Sequence, residues 1–242
     1  MRMAVLSDVH ANLEALEAIA ADMEHQRVEK IMFLGDVVGY GADPNACVKL
    51  IARLCDVCLM GNHDYVGLGL ESPQYFNLMA QQSILWTQKE LDRKAVALMS
   101  DFSLEADYLN YYFVHATPEN PLEWNYLLTP EEAARNFEAF AQDFCFVGHS
   151  HLPTAFCRRP DASVTLIRET TFRAEPECRY IINVGSVGQP RDGNHDACYL
   201  IVETDGNEFT YRRVGYNLLK AQDKMKKSRL PEFLISRLAG GK

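Results

Sequence analysis

No stretch of about 18 consecutive apolar residues, the length a membrane-spanning helix needs, occurs in this chain of 242 residues. Basic residues are in deficit: Lys and Arg total 24 against 33 Asp and Glu, a net charge of −9. The chain therefore lacks the basic footprint of a protein that grips a nucleic-acid duplex, and adsorption to anionic membranes is disfavoured. Met1 to Asp8 runs straight into a strand-like apolar stretch, with no charged leader, apolar core region or cleavage site. Seven cysteines, an odd number in a chain too long to need staples, argue against a disulfide framework. Reduced thiols and a cytoplasmic location are the expectation. Cys55 and Cys58 have CxxC spacing, but no second pair completes a zinc knuckle, and a strand there would point them to opposite faces. Repeats, low-complexity segments and linkers are absent too, so 1–242 reads as one domain. Its 48% apolar and 24% charged residues are the balance of a folded globular chain.

What is present begins with an alternation. Ala4 to Leu6 reads as a buried strand, followed by Leu13, Leu16, Ile19, Ala20 and Met23 at helical spacing. Ile31 to Leu34 is a second apolar run, then comes a Gly-rich turn from Gly35 to Gly41. A helix starts at about Pro44, a residue suited to the first turn, with Cys47, Val48, Ile51 and Leu54 on its apolar face. Val57 to Met60 is a third strand, ending in the turn Gly61-Asn62-His63-Asp64. This rhythm implies parallel strands covered by helices. A long helix is expected from about Gln74 to Leu91, a strand at Tyr111 to Val114, and a helix opened by the capping box Thr129-Pro-Glu-Glu132 and reaching about Phe140. Strands then dominate, at 145–147, 154–157, 164–167, 180–183, 198–202 and 209–214, many of them antiparallel with turns such as Asp205-Gly206-Asn207. Two helices at about 217–239 pack on the domain. Their Lys220, Lys224, Lys226, Lys227, Arg229 and Arg237 read as a solvated face, and their leucines pack inward or against another subunit of a homo-oligomer.

Polar residues gather just beyond five strand ends. Asp8-Val-His10 follows the first strand, Gly35-Asp36 the second and Gly61-Asn62-His63-Asp64 the third. His115 follows Tyr111 to Val114, and Gly148-His149-Ser150-His151 follows Cys145 to Val147. Open α/β sheets bind ligands beyond the carboxyl ends of their strands, so these loops are placed to converge. Singly, each residue has an ordinary explanation: Asp8 or Asn12 as a helix cap, Asp36 as a turn residue, His115 as a structural histidine. Jointly and in order they point to metal. Asp8, Asp36 and Asn62 offer oxygen, and His10, His115, His149 and His151 offer nitrogen, a set suited to Mn, Fe, Co, Ni or Zn and too nitrogen-rich for a Ca or Mg cage. Seven ligands exceed the needs of one four-coordinate ion with an open position and suit two ions sharing a carboxylate. Such pairs, roughly 3.5–4 Å apart, clamp a phosphoryl group during in-line displacement. Two divalent cations against two aspartates would leave the site locally positive in an acidic protein.

The ordered series D-x-H, G-D, G-N-H-D, H and G-H-x-H resembles the calcineurin-like metallophosphoesterase superfamily, small bacterial phosphodiesterase-like branch. Asn183-Val-Gly-Ser-Val-Gly-Gln-Pro-Arg-Asp-Gly193 resembles a further segment of that branch. The resemblance implies an α/β fold, a four-layer α/β/β/α sandwich of two mixed sheets with a dinuclear site at one edge. It implies that Asp8, His10, Asp36 and His151 hold one ion, with Asp36 bridging to a second held by Asn62, His115 and His149; manganese is the first expectation. It implies a hydrolase of small phosphodiesters or nucleotide-type substrates, dinucleoside polyphosphates included, that acts through a metal-bound hydroxide. His63 would protonate the leaving oxygen and Asp64 would orient its ring. Arg191 is a candidate phosphate clamp, with Asn12 and Tyr40 lining the same pocket. Two departures stand out: Gly39 replaces the Asp of a common G-D-x-x-D pattern, and Glu119 ends His115-Ala-Thr-Pro-Glu where a cation would meet phosphate. The rival expectations are a Ser/Thr protein phosphatase and a non-catalytic scaffold of the same fold, like the retromer subunit.

Overall fold

Alternation in the first strand sets the layering. In β1 (Arg2–Leu6), Met3 and Val5 enter one apolar cluster and Ala4 and Leu6 another, all fully buried, so both faces of the strand are covered. The computed structural model describes residues 1–242. The other strands are β2 (Lys30–Phe33), β3 (Val57–Cys58), β4 (Glu105–Tyr108), β5 (Tyr111–Val114), β6 (Phe144–Val147), β7 (Thr154–Arg158) and β8 (Val164–Ile167). After them come β9 (Thr171–Arg173), β10 (Arg179–Asn183), β11 (Ala197–Glu203) and β12 (Glu208–Val214). The helices are α1 (Leu13–His25), α2 (Pro44–Leu54), α3 (Asn62–Gly67), α4 (Leu78–Glu90), α5 (Arg93–Ser100), α6 (Pro130–Asn136), α7 (Leu218–Lys227) and α8 (Glu232–Gly240).

Two six-stranded mixed sheets result. The first runs β3-β2-β1-β11-β12-β9, parallel across β1, β2 and β3 and antiparallel from β1 onward through β11, β12 and β9. The second runs β4-β5-β6-β10-β7-β8, parallel across β5, β6 and β10 and antiparallel at both margins. Between the sheets lie Met3, Val5 and Leu200 from the first and Phe113, Phe146 and Tyr180 from the second. Helices α1 and α2 cover the outer face of the first sheet through Leu16, Ile19, Val48 and Ile51, and α6 with Phe137 and Phe140 covers the second. The order of layers is α/β/β/α, the sandwich the motifs implied. No helix is long and apolar enough to cross a membrane.

Several local expectations change. The helix expected from Gln74 starts only at Leu78, because Asn77 turns extended and caps α4 by accepting the Ala80 N–H at 3.0 Å. The turn expected at Asn62 opens α3 instead. Helix α5, capped by Asp92, and the edge strands β4 and β9 are short elements of three to eight residues that add to those expected. Cys55 caps the end of α2 while Cys58 lies in β3, so the CxxC spans a helix end and a strand; none of the seven cysteines is paired. The terminal basic face is not all solvated. Lys224 reaches Glu14 at 2.7 Å and Asp43 at 2.8 Å because the Glu14 carboxylate is buried beneath α7 and needs a cation. Met225, Leu230, Leu234, Ile235 and Leu238 then close over Tyr40 and Ala80.

Candidate metal centre

Parallel pairing within each sheet brings the ends of β1, β2 and β3 together, and likewise those of β5 and β6. The two groups meet where the His115 Nδ1–H of the second sheet donates to the Leu34 carbonyl of the first at 3.0 Å. The Asp8 N–H donates to the Gly35 carbonyl at 3.0 Å, and the Gly148 N–H to the His115 carbonyl at 2.8 Å. Asp8, His10, Asp36, His149 and His151 all hold positive φ, between 48° and 64°. Non-glycine residues rarely adopt that region, and clusters of them mark sites where the surroundings enforce a geometry. Gly61 permits the closest approach, since a Cβ there would overlap the Asp36 carboxylate.

All seven expected ligands are buried, and their donor atoms converge in sets. Asp8, His10 and His151 form one set; Asp36, His115 and His149 form another; Asp36 also sits with His10 and His63. Within each set the donor atoms lie within 4.8 Å of one another. Asn62 lines the cleft beside them, and its Oδ1 is buried without a hydrogen bond. Three rings are fixed by their second nitrogen: Nδ1 of His10 contacts the Val38 carbonyl at 3.0 Å, that of His115 the Leu34 carbonyl at 3.0 Å, and that of His151 the Gln189 carbonyl at 2.5 Å. A carbonyl only accepts, so each Nδ1 carries the proton and Nε2 is the nitrogen turned inward, with a free lone pair wherever the ring is neutral.

That assignment tests whether ions fit. His10 Nε2 and His151 Nε2 stand 3.1 Å apart. Burial, the largest influence on each, lowers the pKa of both rings, so both are neutral and the two lone pairs face each other. A cation between them, with Asp8 Oδ1 at 3.2 Å from His151 Nε2, removes the conflict. Asp36 Oδ2 lies 3.7 Å from His10 Nε2 and 3.4 Å from His115 Nε2, on the line between the two sets. Burial opposes a charge on His115, but the Asp36 carboxylate outweighs it and raises the ring to about 9, so a proton takes the place suited to a metal. Burial alone would raise Asp36; the charged His115 ring beside it outweighs burial and holds the carboxyl low. The donor set fits divalent transition metals.

His63 lines the cleft over this centre. Its ring lies 4.5 Å from Tyr40, 4.5 Å from Phe76 and 4.9 Å from His10, and its Nδ1 is buried without a partner, so close to Gly39 that a Cβ there would overlap it. Burial draws its pKa down to about 4. Asp64 does not orient this ring. Its Oδ2 accepts the N–H groups of Asp36 (2.7 Å) and Gly61 (3.1 Å) and its Oδ1 that of Val38 (3.1 Å), so the carboxylate ties two ligand loops together. Burial and then the Asp36 charge push Asp64 up to about 7, against those amides. Asn12 does not line the cleft either: Oδ1 caps α1 at the Ala15 N–H and Nδ2 donates to the Gly188 carbonyl at 3.0 Å, the capping role open to it from the start.

Tyr40 and Arg191 do line the cleft, a cavity of about 510 Å³ above Asp36, Asn62, His149 and His151. Arg191 donates through Nη2 to Gln189 Oε1 at 3.1 Å and keeps Nε without a partner. Glu119 is exposed and lines a separate depression with Thr117 and Arg135, so it does not oppose phosphate at the centre. The sequence reading missed Tyr126, stacked on His149 at 4.4 Å and 24°, and Trp124, 6.0 Å from His115. Neither lies in a periodic segment, so no local signal marked them.

A model of the calcineurin-like phosphoesterase superfamily domain matches residues 1–207. The chain is 40% identical over 244 residues to an uncharacterized protein of Methanocaldococcus jannaschii, spanning 99% of this chain and 98% of that one. It resembles the crystal structure of a metallophosphoesterase from Sphaerobacter thermophilus with a TM-score of 0.87 and 38% identity, over 100% of this chain and 99% of the other. A hypothetical protein of Pyrococcus horikoshii shares the fold at a TM-score of 0.78 and 19% identity, over 100% and 98% of the two chains.

Proposed function

Because the chain belongs to the calcineurin-like phosphoesterase superfamily, we propose that it is a dinuclear metal-dependent hydrolase of small phosphodiester or nucleotide-type substrates, dinucleoside polyphosphates among them. The observation that carries this reading is the pair of inward lone pairs on His10 and His151 beside the Asp8 and Asp36 carboxylates. Asp8, His10, Asp36 and His151 would hold one ion, and Asp36, Asn62, His115 and His149 the other, with manganese first and iron, cobalt, nickel or zinc compatible. When bound, such ions supply Lewis-acid charge to phosphoryl oxygens and lower the pKa of a coordinated water.

The remaining steps fall to side chains. Arg191, with Nε free, offers a planar fork to two phosphoryl oxygens. Neutral because it is buried, the His63 ring gains proton affinity when a phosphoryl anion settles beside it. With Nδ1 buried against Gly39, Nε2 is the atom left to deliver a proton to the leaving oxygen. Tyr40 and Phe76 keep that ring from turning away.

The test is a panel of a monoester, a diester, a dinucleoside polyphosphate and a phosphopeptide, each with Mn, Fe, Co, Ni, Zn and Mg. Turnover of the diester or nucleotide is the expected result. A phosphopeptide preference would make the chain a protein phosphatase, and no turnover under any condition would make it a scaffold.

A further inference from the structure

Two segments overhang the metal centre and carry aromatic side chains with little else to do. One, following α3, brings Tyr75, which is 80% exposed, and Phe76. The other, between β5 and α6, brings Trp124 and Tyr126, the latter 50% exposed. Each segment also touches the centre directly: Phe76 packs on His63, Tyr126 stacks on His149 and Trp124 meets His115 edge to face. Trp124 holds a left-handed φ of 53°, an uncommon state for a bulky residue, and its Nε1–H reaches Glu71 Oε2 at 3.4 Å, joining the two segments across the cleft.

From this placement we propose, on the footing of the phosphoesterase reading, that the two segments form a clamp for a flat nitrogen heterocycle, the base of a nucleotide whose phosphate lies at the metal centre. Aromatic faces on both segments offer stacking surfaces, and stacking tolerates any base because every base has a π-face. Glu71 and Glu123 line the same cleft and accept hydrogen bonds only, which matches the N–H edges of a base. Lysine is absent from the lining and Arg191 is its one arginine, so beyond the metal centre the cleft offers ring faces and hydrogen-bond acceptors.

The experiment uses the fluorescence of Trp124, which becomes the sole tryptophan in a Trp86→Phe background. In manganese buffer, adenosine monophosphate should quench it saturably, half-saturating at a concentration roughly five- to a hundredfold below that of ribose phosphate. Tyr75→Ala should close most of that gap while leaving ribose phosphate binding unchanged, and Tyr126→Ala should close it too. Equal half-saturation for the two ligands, or a gap that survives both substitutions, overturns the clamp. Calorimetric titration of the unsubstituted chain with the same pair gives the same ratio should the Trp86→Phe variant fail to fold. Loss of metal-dependent turnover of bis(nitrophenyl) phosphate would instead remove the phosphoesterase reading and leave the binding ratio standing, so the two failures are distinguishable.

Discussion

Stripping the metals should cost this chain much of its thermal stability. Asp8 Oδ1 and Asn62 Oδ1 are buried with no hydrogen bond. An unsatisfied buried polar atom costs about 1–3 kcal/mol, so the two together penalise the metal-free fold by roughly 2–6 kcal/mol. Linkage gives a second route to the magnitude. One ion present at about a hundred times its Kd stabilises by about 2.7 kcal/mol, so two ions supply about 5 kcal/mol, inside that range. For chains of this size each kcal/mol moves Tm by about 2–4 °C, which predicts a fall of about 10–20 °C on chelation. Differential scanning calorimetry with saturating manganese and then with excess chelator measures it. Asp36→Ala, which removes the carboxylate shared by both sets, should melt at one temperature in either buffer and lose ions from both positions. A native Tm that no divalent transition metal moves by more than a degree or so would refute the reasoning, because the buried donors would then be satisfied in some other way.

His63→Ala should lower turnover by about 10²–10⁴-fold while elemental analysis still finds two ions. Loss of an ion would instead make His63 a ligand, a role its place beside His10 and Asp36 allows. Arg191→Lys should raise KM with metal content unchanged, since a lysine cannot grip two oxygens from one plane; an unaltered KM would remove the clamp. Lys224→Met should destabilise the fold by about 1.5–3 kcal/mol in urea unfolding, because Glu14 stays buried without its nearest cation. Burial alone would raise Glu14, but the hydrogen bonds from Lys224 and Lys220 outweigh it and lower the pKa. The stabilisation is therefore complete above the ordinary glutamate value and is lost as pH falls through the depressed folded one. A Lys224→Met penalty that stays constant down to strongly acid pH would refute the ion pair.

The candidate ligands were legible in the sequence because coordination demands particular atoms, and this chain places Asp, Asn and His after five apolar runs in order. The layers were legible for a similar reason: the period-two burial of β1 and the helical spacing of α1 each specify which face must be covered. Roles shared by one residue type were not. Asn12 and Asn62 both follow strands, and only the surrounding backbone makes the first a helix cap and leaves the second with a bare oxygen. Asp64 stands next to His63 in sequence, but the amides of Asp36 and Val38, from a distant loop, and of Gly61, from its own turn, claim its oxygens.

Local order along the chain thus determined the fold class, the candidate ligand set and the family. Tertiary structure alone decided which tautomer each histidine carries, since the anchors at Leu34, Val38 and Gln189 are carbonyls that every residue possesses. It also decided which aromatic rings roof the cleft. Tyr75, Trp124 and Tyr126 sit in irregular segments without period, and what they face depends on how two sheets stack. A spacing rule acts over a turn or a strand; a contact between segments tens of residues apart follows only from closing the core between them.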